Sequence, residues 1–155
     1  MLAVAACTDN VKEIISGGLA QIPYTSRLYE AISRVLTDFE NGVSSKDCFA
    51  AIHNHYDEYT DHGWCHTISN AMIVAAALLY GNGNFGKSIC MAVQTGFDTD
   101  CNGATVGSVL GMAKGIDSIE DVWKKPINDT LHTTIFGVGT VRISNCVKQT
   151  LNHIP

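Results

Sequence analysis

The feature that most constrains the fold is an apolar run, residues 71–80, in which no side chain is charged. A helix of this composition is apolar on every face, which is typical of a central helix surrounded by other elements. The run is far shorter than the roughly 20 residues that a transmembrane helix needs, and the turn-forming residues 81–84 end it. The sequence therefore predicts a buried helix over residues 65–80 inside a helical body.

Most of the remaining chain shows the spacing of amphipathic helices, with start and stop signals between segments. Asn10 and Glu13, for example, match a capping box. Further helices are predicted near 10–20, from Thr25 or Ser26 to 41, from Ser44 or Ser45 to 52, and over 85–95, 103–114, 118–123 and 143–154. The stretch 127–141 is β-prone but is expected to be irregular. Because no repeat or low-complexity linker interrupts the chain, we predict one all-α domain over residues 1–155.

Composition excludes several classes of function. The 155 residues carry a formal net charge of −5, and no basic cluster is longer than Lys124-Lys125, which disfavours nucleic-acid binding. The six cysteines form no C-x-x-C pair, which excludes a zinc ribbon or a thioredoxin-type motif. The first residues lack the basic region of a signal peptide, and no apolar run reaches the length of a membrane span. We expect a cytoplasmic protein without a nucleic-acid or membrane partner.

The segment 96–105, Gly-Phe-Asp-Thr-Asp-Cys-Asn-Gly-Ala-Thr, is polar and lies between two apolar helices. Asp98 and Asp100 supply two carboxylates at i and i+2, and hard oxygen ligands of this kind suit Mg²⁺ or Ca²⁺. The N-terminus of the following helix adds N–H groups that can hold a phosphate. A simpler interpretation is that the two aspartates only cap that helix. Cys101 could instead be a nucleophile, because a thiol at a helix N-terminus can have a depressed pKa.

The helix predicted after this segment carries Gly103, Gly107 and Gly111, spaced four residues apart. Each glycine costs the helix roughly 1 kcal/mol relative to alanine. We therefore expect close packing or ligand approach along this row of small residues.

A second polar cluster lies between residues 53 and 66 and combines histidines with aspartates. Its members are His53, His55, Asp57, Asp61, His62 and His66. His62 and His66, at i and i+4, could bind zinc on a helix. No helical pattern covers residues 53–63, so a solvated loop is the simpler interpretation. Trp64 and Trp123 are expected to pack against other side chains rather than bind adenine.

The segment 96–104, followed by Gly-Ser-Val-Leu-Gly at 107–111, resembles the C-terminal signature of the ADP-ribosylglycohydrolase family. That family includes the dinitrogenase-reductase-activating glycohydrolase, the ADP-ribosyl-acceptor hydrolases and the J1 crystallins. The similarity extends to residues 21–28, 64–71 and 76–85 and so covers nearly the whole chain. The aspartate pair, the glycine-rich helix and the preceding buried helix also occur in the order and spacing of the family.

The resemblance implies a compact multi-helix orthogonal bundle with two Mg²⁺ ions at its centre. Family members bind these ions through an N-terminal Thr-Asp-Asp cluster and through a C-terminal Asp, Asp and hydroxyl residue. Carried over, Asp98 and Asp100 are metal ligands, and the hydroxyl position falls on Cys101, a soft thiol that a hard cation does not favour. An oxygen of Asn102 or Thr105 could replace it. The residues expected to contact substrate are Thr99, Asn102, Gly103, Thr105 and His66, although His66 is also interpretable as a hydrogen-bonded core histidine.

The implied activity is Mg²⁺-dependent hydrolysis at the anomeric carbon of an ADP-ribosyl group attached to a protein or a small molecule. Thr60-Asp61-His62 does not reproduce the N-terminal ligand cluster, and no catalytic residue is assigned. We therefore expect the C-terminal portion of the fold, truncated at its N-terminus, with at most a partial Mg²⁺ site and no activity without the N-terminal half. The alternative is an inactive helical domain, either structural as in J1 crystallins or ADP-ribose-binding. An uncovered apolar face would favour self-association or pairing with an N-terminal half.

Overall fold

The computed structural model of the chain describes residues 1–154, which divide into two compact units at residues 118 and 119. The first unit consists of α1 (Leu2–Ala5), α2 (Val11–Leu19), α3 (Arg27–Glu40), α4 (Ser45–His55), α5 (Thr67–Tyr80), α6 (Phe85–Gln94), α7 (Thr99–Lys114) and a 3-10 turn (Ile116–Ser118). The second consists of α8 (Asp121–Lys124), a 3-10 turn (Lys125–Ile127), strands β1 (Thr130–His132) and β2 (Thr140–Arg142), and α9 (Ile143–Leu151). The all-α class is confirmed, and the single-domain organisation stays a prediction.

The central helix of the first unit is α5, as the apolar run predicts. Its side chains from Met72 to Leu79 are all buried, and α2, α3, α4, α6 and α7 pack around it. Burial of one aliphatic side chain such as Ile73 or Leu78 contributes roughly 1.5–3 kcal/mol, so this helix dominates the core. It begins at Thr67 rather than at the predicted Cys65 because the His66 side chain caps it, with Nδ1 accepting from the Ile68 N–H at 3.2 Å.

Helix starts in the first unit follow the capping residues of the sequence. The side chains of Asn10, Ser26, Ser44 and Asn84 each accept a hydrogen bond from an amide in the first turn of their helix. These bonds satisfy donors that the helix itself leaves unpaired. The largest difference between a predicted and an observed helix start is at α7, which begins at Thr99 and not at the predicted residue 103. Its polar first turn is unfavourable by helix propensity, but polar residues are well placed where the first N–H groups lack partners.

The stretch that was expected to be irregular instead contributes to a small antiparallel β-hairpin in the second unit. Leu131 pairs with Val141, and the Thr133 N–H donates to the Gly139 carbonyl at 2.9 Å. Gly137 and Gly139 adopt positive φ in the connection, which explains how two β-prone segments reach each other. No residue between 119 and 154 is buried. In residues 1–154, no helix has both the length and the apolar character to cross a membrane.

Candidate functional site

The candidate site lies at the start of α7, where the predicted metal ligands come together. One donor atom each from Asp98, Asp100 and Cys101 lies within 4.8 Å of the others. Asp98 is half-buried, whereas Asp100 and Cys101 are exposed. Over residues 1–154, no other set of three His, Cys, Asp or Glu side chains is gathered in this way. The two carboxylates and the thiol therefore form the one candidate metal cluster of the described chain.

The simpler interpretation, in which these aspartates only cap the helix, does not account for Asp98. Asp98 stands at the N-cap position of α7, yet its side chain accepts no hydrogen bond from the first-turn amides. The four capping side chains of α2, α3, α4 and α6 all make such bonds. The Asp98 carboxylate is hydrogen-bonded to the Cys101 thiol instead. Asp100 lies in the first turn, where the helix dipole favours a negative charge.

Cys101 does not have the properties of an activated nucleophile. A hydrogen bond to the Asp98 carboxylate raises the pKa of the Cys101 thiol, and repulsion from the charges of Asp98 and Asp100 adds to this effect. A nucleophilic thiol at a helix N-terminus requires the opposite direction. The protonated thiol is also a poor ligand for a hard cation, which binds oxygen atoms in preference.

The expected substrate-contacting residues occupy different environments. Asn102 is buried, and its Nδ2 donates to Asn70 Oδ1 at 2.7 Å. The Thr105 hydroxyl is exposed and donates to the Cys101 carbonyl of its own helix at 2.8 Å. Gly103 is buried against α6, where a Cβ at this position would lie 3.0 Å from Val93 Cγ2. Thr99 is half-buried in the first turn of α7. Contact of these residues with a substrate stays a prediction.

Asn70, in the first turns of α5, connects this helix to the start of α7. Its Oδ1 accepts from the Asp98 N–H at 3.1 Å and from Asn102 Nδ2. Its Nδ2 donates to the carbonyls of Trp64 and His66, both at 2.9 Å. The amide group therefore uses both donors and accepts two bonds. His66 reaches the site only through this backbone carbonyl, so the structure places its ring outside the cluster.

Glu58 is a residue of the site that the sequence did not indicate. Its Oε2 accepts from the Phe97 N–H at 2.6 Å, and the two residues are 39 positions apart. Phe97 is buried and has a φ of +59°, which is rare for a residue with a side chain. Gly96 before it has a φ of +93°, and a Cβ there would lie 2.9 Å from Glu58 Oε1. Gly96 and Phe97 belong to the segment that resembles the family, so the sequence indicates them. Glu58 lies in a polar loop that no sequence pattern distinguishes.

The rings of the histidine cluster pack against one another and do not form a convergent metal site. The ring centroids of His62 and His66 are 4.1 Å apart, and the Tyr56 ring lies tilted against His62 at 4.6 Å. Because the Ser69 hydroxyl donates to the His66 carbonyl, His62 Nε2 donates to Ser69 Oγ at 3.2 Å. Burial lowers the pKa of His62, and the neighbouring His66 and His55 lower it further. These effects favour the neutral form of the His62 ring relative to a free histidine.

His55, His62 and His66 border a cavity of about 300 Å³. Its polar lining includes Arg27, Arg34, His55, Tyr56, His62 and His66. His53, which was grouped with them, lies elsewhere: its Nε2 is 3.0 Å from Thr95 Oγ1 and its ring packs on Phe97. Trp64 is 56 % exposed, so the packing role expected for it is wrong. A zinc site at this cluster has no support in residues 1–154.

Comparison with known proteins gives one match. The model of a family described as ADP-ribosylglycohydrolase matches residues 1–148, which is nearly the whole chain. Searches of curated proteins and of solved structures gave no significant match. The family match agrees with the resemblance carried by the segment 96–111 and with the observed all-α class.

Proposed function

Because the chain belongs to the ADP-ribosylglycohydrolase family, we propose that it serves in Mg²⁺-dependent hydrolysis of the glycosidic bond in ADP-ribosyl conjugates. In this proposal Asp98 and Asp100 hold the cation, and the partner is an ADP-ribosylated protein or a small molecule that contains ADP-ribose. The chain supplies the C-terminal Asp-x-Asp side of the metal site.

The observation that carries the proposal is the Asp98 carboxylate, which makes no capping hydrogen bond to α7. Asp98 stands at the N-cap position of this sixteen-residue helix, and the Asp100 carboxylate lies within 4.8 Å. A divalent cation between two carboxylates held this close would offset the repulsion of their charges. The free N–H groups of the same first turn favour a bound anion, and a diphosphate satisfies that preference. A cation and a diphosphate beside one helix N-terminus fit an ADP-ribosyl substrate.

The donor set fits Mg²⁺ at the two aspartates and does not fit it at Cys101. Asp98 and Asp100 offer hard oxygen atoms, whereas the Cys101 thiol is soft and its hydrogen bond to Asp98 raises its pKa. When bound, Mg²⁺ would polarise substrate oxygens and lower the pKa of a bound water. The aspartates themselves would orient the ribose and place negative charge near the positive charge that develops at the anomeric carbon.

The second candidate function is ADP-ribose binding, or a structural role, without turnover. It is favoured by the observation that residues 1–154 contain a single acidic cluster and that one of its three members is a thiol. A site with two carboxylates holds a divalent cation less firmly than one with a larger number of charged ligands. Binding and catalysis therefore need separate measurements.

The test of the metal site is calorimetric titration of Mg²⁺, and then ADP-ribose, into the protein and into Asp98→Asn/Asp100→Asn. We expect the double substitution to weaken Mg²⁺ binding by about 100-fold or more, since ligand charge sets the affinity for a divalent cation. The matched control is Asp61→Asn/Asp117→Asn, which removes two exposed carboxylates outside the cluster. Equal affinity in all three proteins would refute the assigned ligands.

The test of turnover is release of ADP-ribose from an ADP-ribosyl-arginine conjugate with and without Mg²⁺. Hydrolysis that depends on Mg²⁺ and is lost in Asp98→Asn/Asp100→Asn supports the enzyme. Tight binding of ADP-ribose with no hydrolysis supports the binding domain instead. If neither Mg²⁺ nor ADP-ribose binds, both functions assigned to this cluster are wrong.

A further inference from the structure

The backbone immediately before the two candidate ligands is held in an unusual conformation. Gly96 and Phe97 have consecutive positive φ values of +93° and +59°. Residues with a Cβ avoid this region, so surrounding contacts must hold Phe97 there. Backbone strain of this kind is concentrated at functional sites in proteins. The direction in which the Asp98 side chain leaves the chain depends on this dipeptide.

Two side chains from other parts of the first unit bind the consecutive amides of this segment. Glu58 accepts from the Phe97 N–H at 2.6 Å, and Asn70 accepts from the Asp98 N–H at 3.1 Å. Neither amide has a partner within its own helix, because α7 begins only at Thr99. The bond to Glu58 is charge-assisted and short, and such bonds are about twice as strong as neutral ones.

Further contacts support this arrangement. The Nδ2 donors of Asn70 are bound to the carbonyls of Trp64 and His66, so its Oδ1 is fixed in position. The absence of a side chain at Gly96 lets Glu58 approach the backbone, since a Cβ there would lie 2.9 Å from Glu58 Oε1. The Phe97 ring packs on His53, with centroids 4.9 Å apart. The strained dipeptide is therefore held through its amide, its ring and the next amide.

We propose that Glu58 and Asn70 are positioning residues, which hold residues 97 and 98 so that the Asp98 carboxylate meets that of Asp100. This inference rests on the proposed function for the ligand role of the two aspartates. Neither positioning residue contacts the cation or the substrate. They act as the outer shell of the site, where loss of a hydrogen-bonding partner typically lowers metal affinity about 10- to 100-fold.

The experiment measures Mg²⁺ affinity and amide hydrogen exchange in Glu58→Ala, Glu58→Gln and Asn70→Ala. We expect Glu58→Ala and Asn70→Ala to weaken Mg²⁺ binding about ten-fold or more. Glu58→Gln should recover most of the affinity, since its carbonyl oxygen still accepts from the Phe97 N–H. Asp61→Ala is the matched control, because it removes an exposed carboxylate from the same polar segment.

Hydrogen exchange of the Phe97 and Asp98 amides gives a readout that needs no metal. Exchange at Phe97 should be faster in Glu58→Ala and unchanged in Asp61→Ala. The positioning role is overturned if exchange at Phe97 does not change, or if exchange increases while Mg²⁺ affinity stays the same. Failure of the proposed function looks different, because the unsubstituted protein itself then binds no Mg²⁺; that result refutes the ligand role and with it the positioning role.

Discussion

The two ends of α7 use glycine in different ways. Before the first turn, Gly96 lies against Glu58, and further along Gly103 and Gly107 lie against side chains of α6. At the other end, a Cβ added at Gly111 or Gly115 would meet no atom within 4 Å. Glycine therefore allows close packing at the N-terminal end of α7. At the C-terminal end, Gly115 only terminates the helix.

The contrast connects packing to the candidate site. Positive φ, side chains bound to backbone amides and close helix contact all occur where Asp98 and Asp100 lie. A non-glycine residue in a sparsely populated backbone region costs of order 1–3 kcal/mol. Burial of an aromatic side chain such as Phe97 stabilises the folded state by roughly 1.5–3 kcal/mol. The fold therefore tolerates the strain at the N-terminal end of α7 because the same residue contributes to the core.

The largest effect is expected from Gly96→Ala. The new Cβ would lie 2.9 Å from Glu58 Oε1 at a φ of +93°. We expect a loss of about 2 kcal/mol in the free energy of unfolding, from backbone strain together with displacement of Glu58. Urea denaturation followed by circular dichroism measures this loss. Mg²⁺ affinity should fall as well, because Glu58 can no longer hold the Phe97 amide.

Gly42→Ala is the control for the strain alone. Gly42 also has positive φ, +75°, but no atom lies within 4 Å of an added Cβ. Gly42→Ala should lower the free energy of unfolding by about 1 kcal/mol, the penalty of the left-handed backbone region, and leave Mg²⁺ affinity unchanged. If the two substitutions have the same effect on stability and on affinity, the close contact between Gly96 and Glu58 has no role in the site.

Local signals in the sequence predicted much of the fold. The buried helix α5 follows from its apolar composition, and the starts of α2, α3 and α4 follow from Asn10, Ser26 and Ser44. Asp98 and Asp100 are selected as candidate metal ligands through the family resemblance of their segment, because two carboxylates beside a helix start are by themselves explained as well by helix capping. In each case the information lies within a few residues of the feature that it predicts.

Contacts between distant residues could not be predicted in the same way. Glu58 is 39 positions from Phe97, and Asn70 is 28 positions from Asp98. Glu58 has no pattern that distinguishes it from a solvated polar residue, and Asn70 has only its place in the segment 64–71 that resembles the family. The early start of α7 was missed for a related reason: a Thr-Asp-Cys-Asn segment has low helix propensity, and the bond from Asn70 to Asn102 that supports it comes from another helix.

A smaller effect is expected from alanine along the glycine row of α7. Gly111→Ala should stabilise the protein by up to about 1 kcal/mol, because the site is open and alanine favours the helix. Gly103→Ala places a Cβ 3.0 Å from Val93 Cγ2, so the gain in helix propensity is offset by crowding against α6. Thermal unfolding of the two variants should therefore show a lower midpoint for Gly103→Ala. The reverse order would mean that α6 does not lie closely against the first half of α7.

The smallest effect is expected from Cys101→Ser, which changes one atom in the candidate cluster. The thiol is exposed and donates to the Asp98 carboxylate, which raises its pKa. A serine hydroxyl is a neutral oxygen donor that a hard cation accepts more readily than sulfur. We expect Mg²⁺ affinity to increase by a factor of about 3, roughly 0.6 kcal/mol, with little change in stability because the residue lies on the surface.

Cys90→Ser is the matched control for this substitution, since it makes the same change at an exposed cysteine of α6 outside the cluster. Its Mg²⁺ affinity should equal that of the unsubstituted protein. Weaker Mg²⁺ binding in Cys101→Ser would show that the thiol itself supports the bound cation, and the site would then be better matched to a softer ion. An increase confined to Cys101→Ser would instead show that Mg²⁺ binds at the start of α7 with an affinity that this sulfur atom limits.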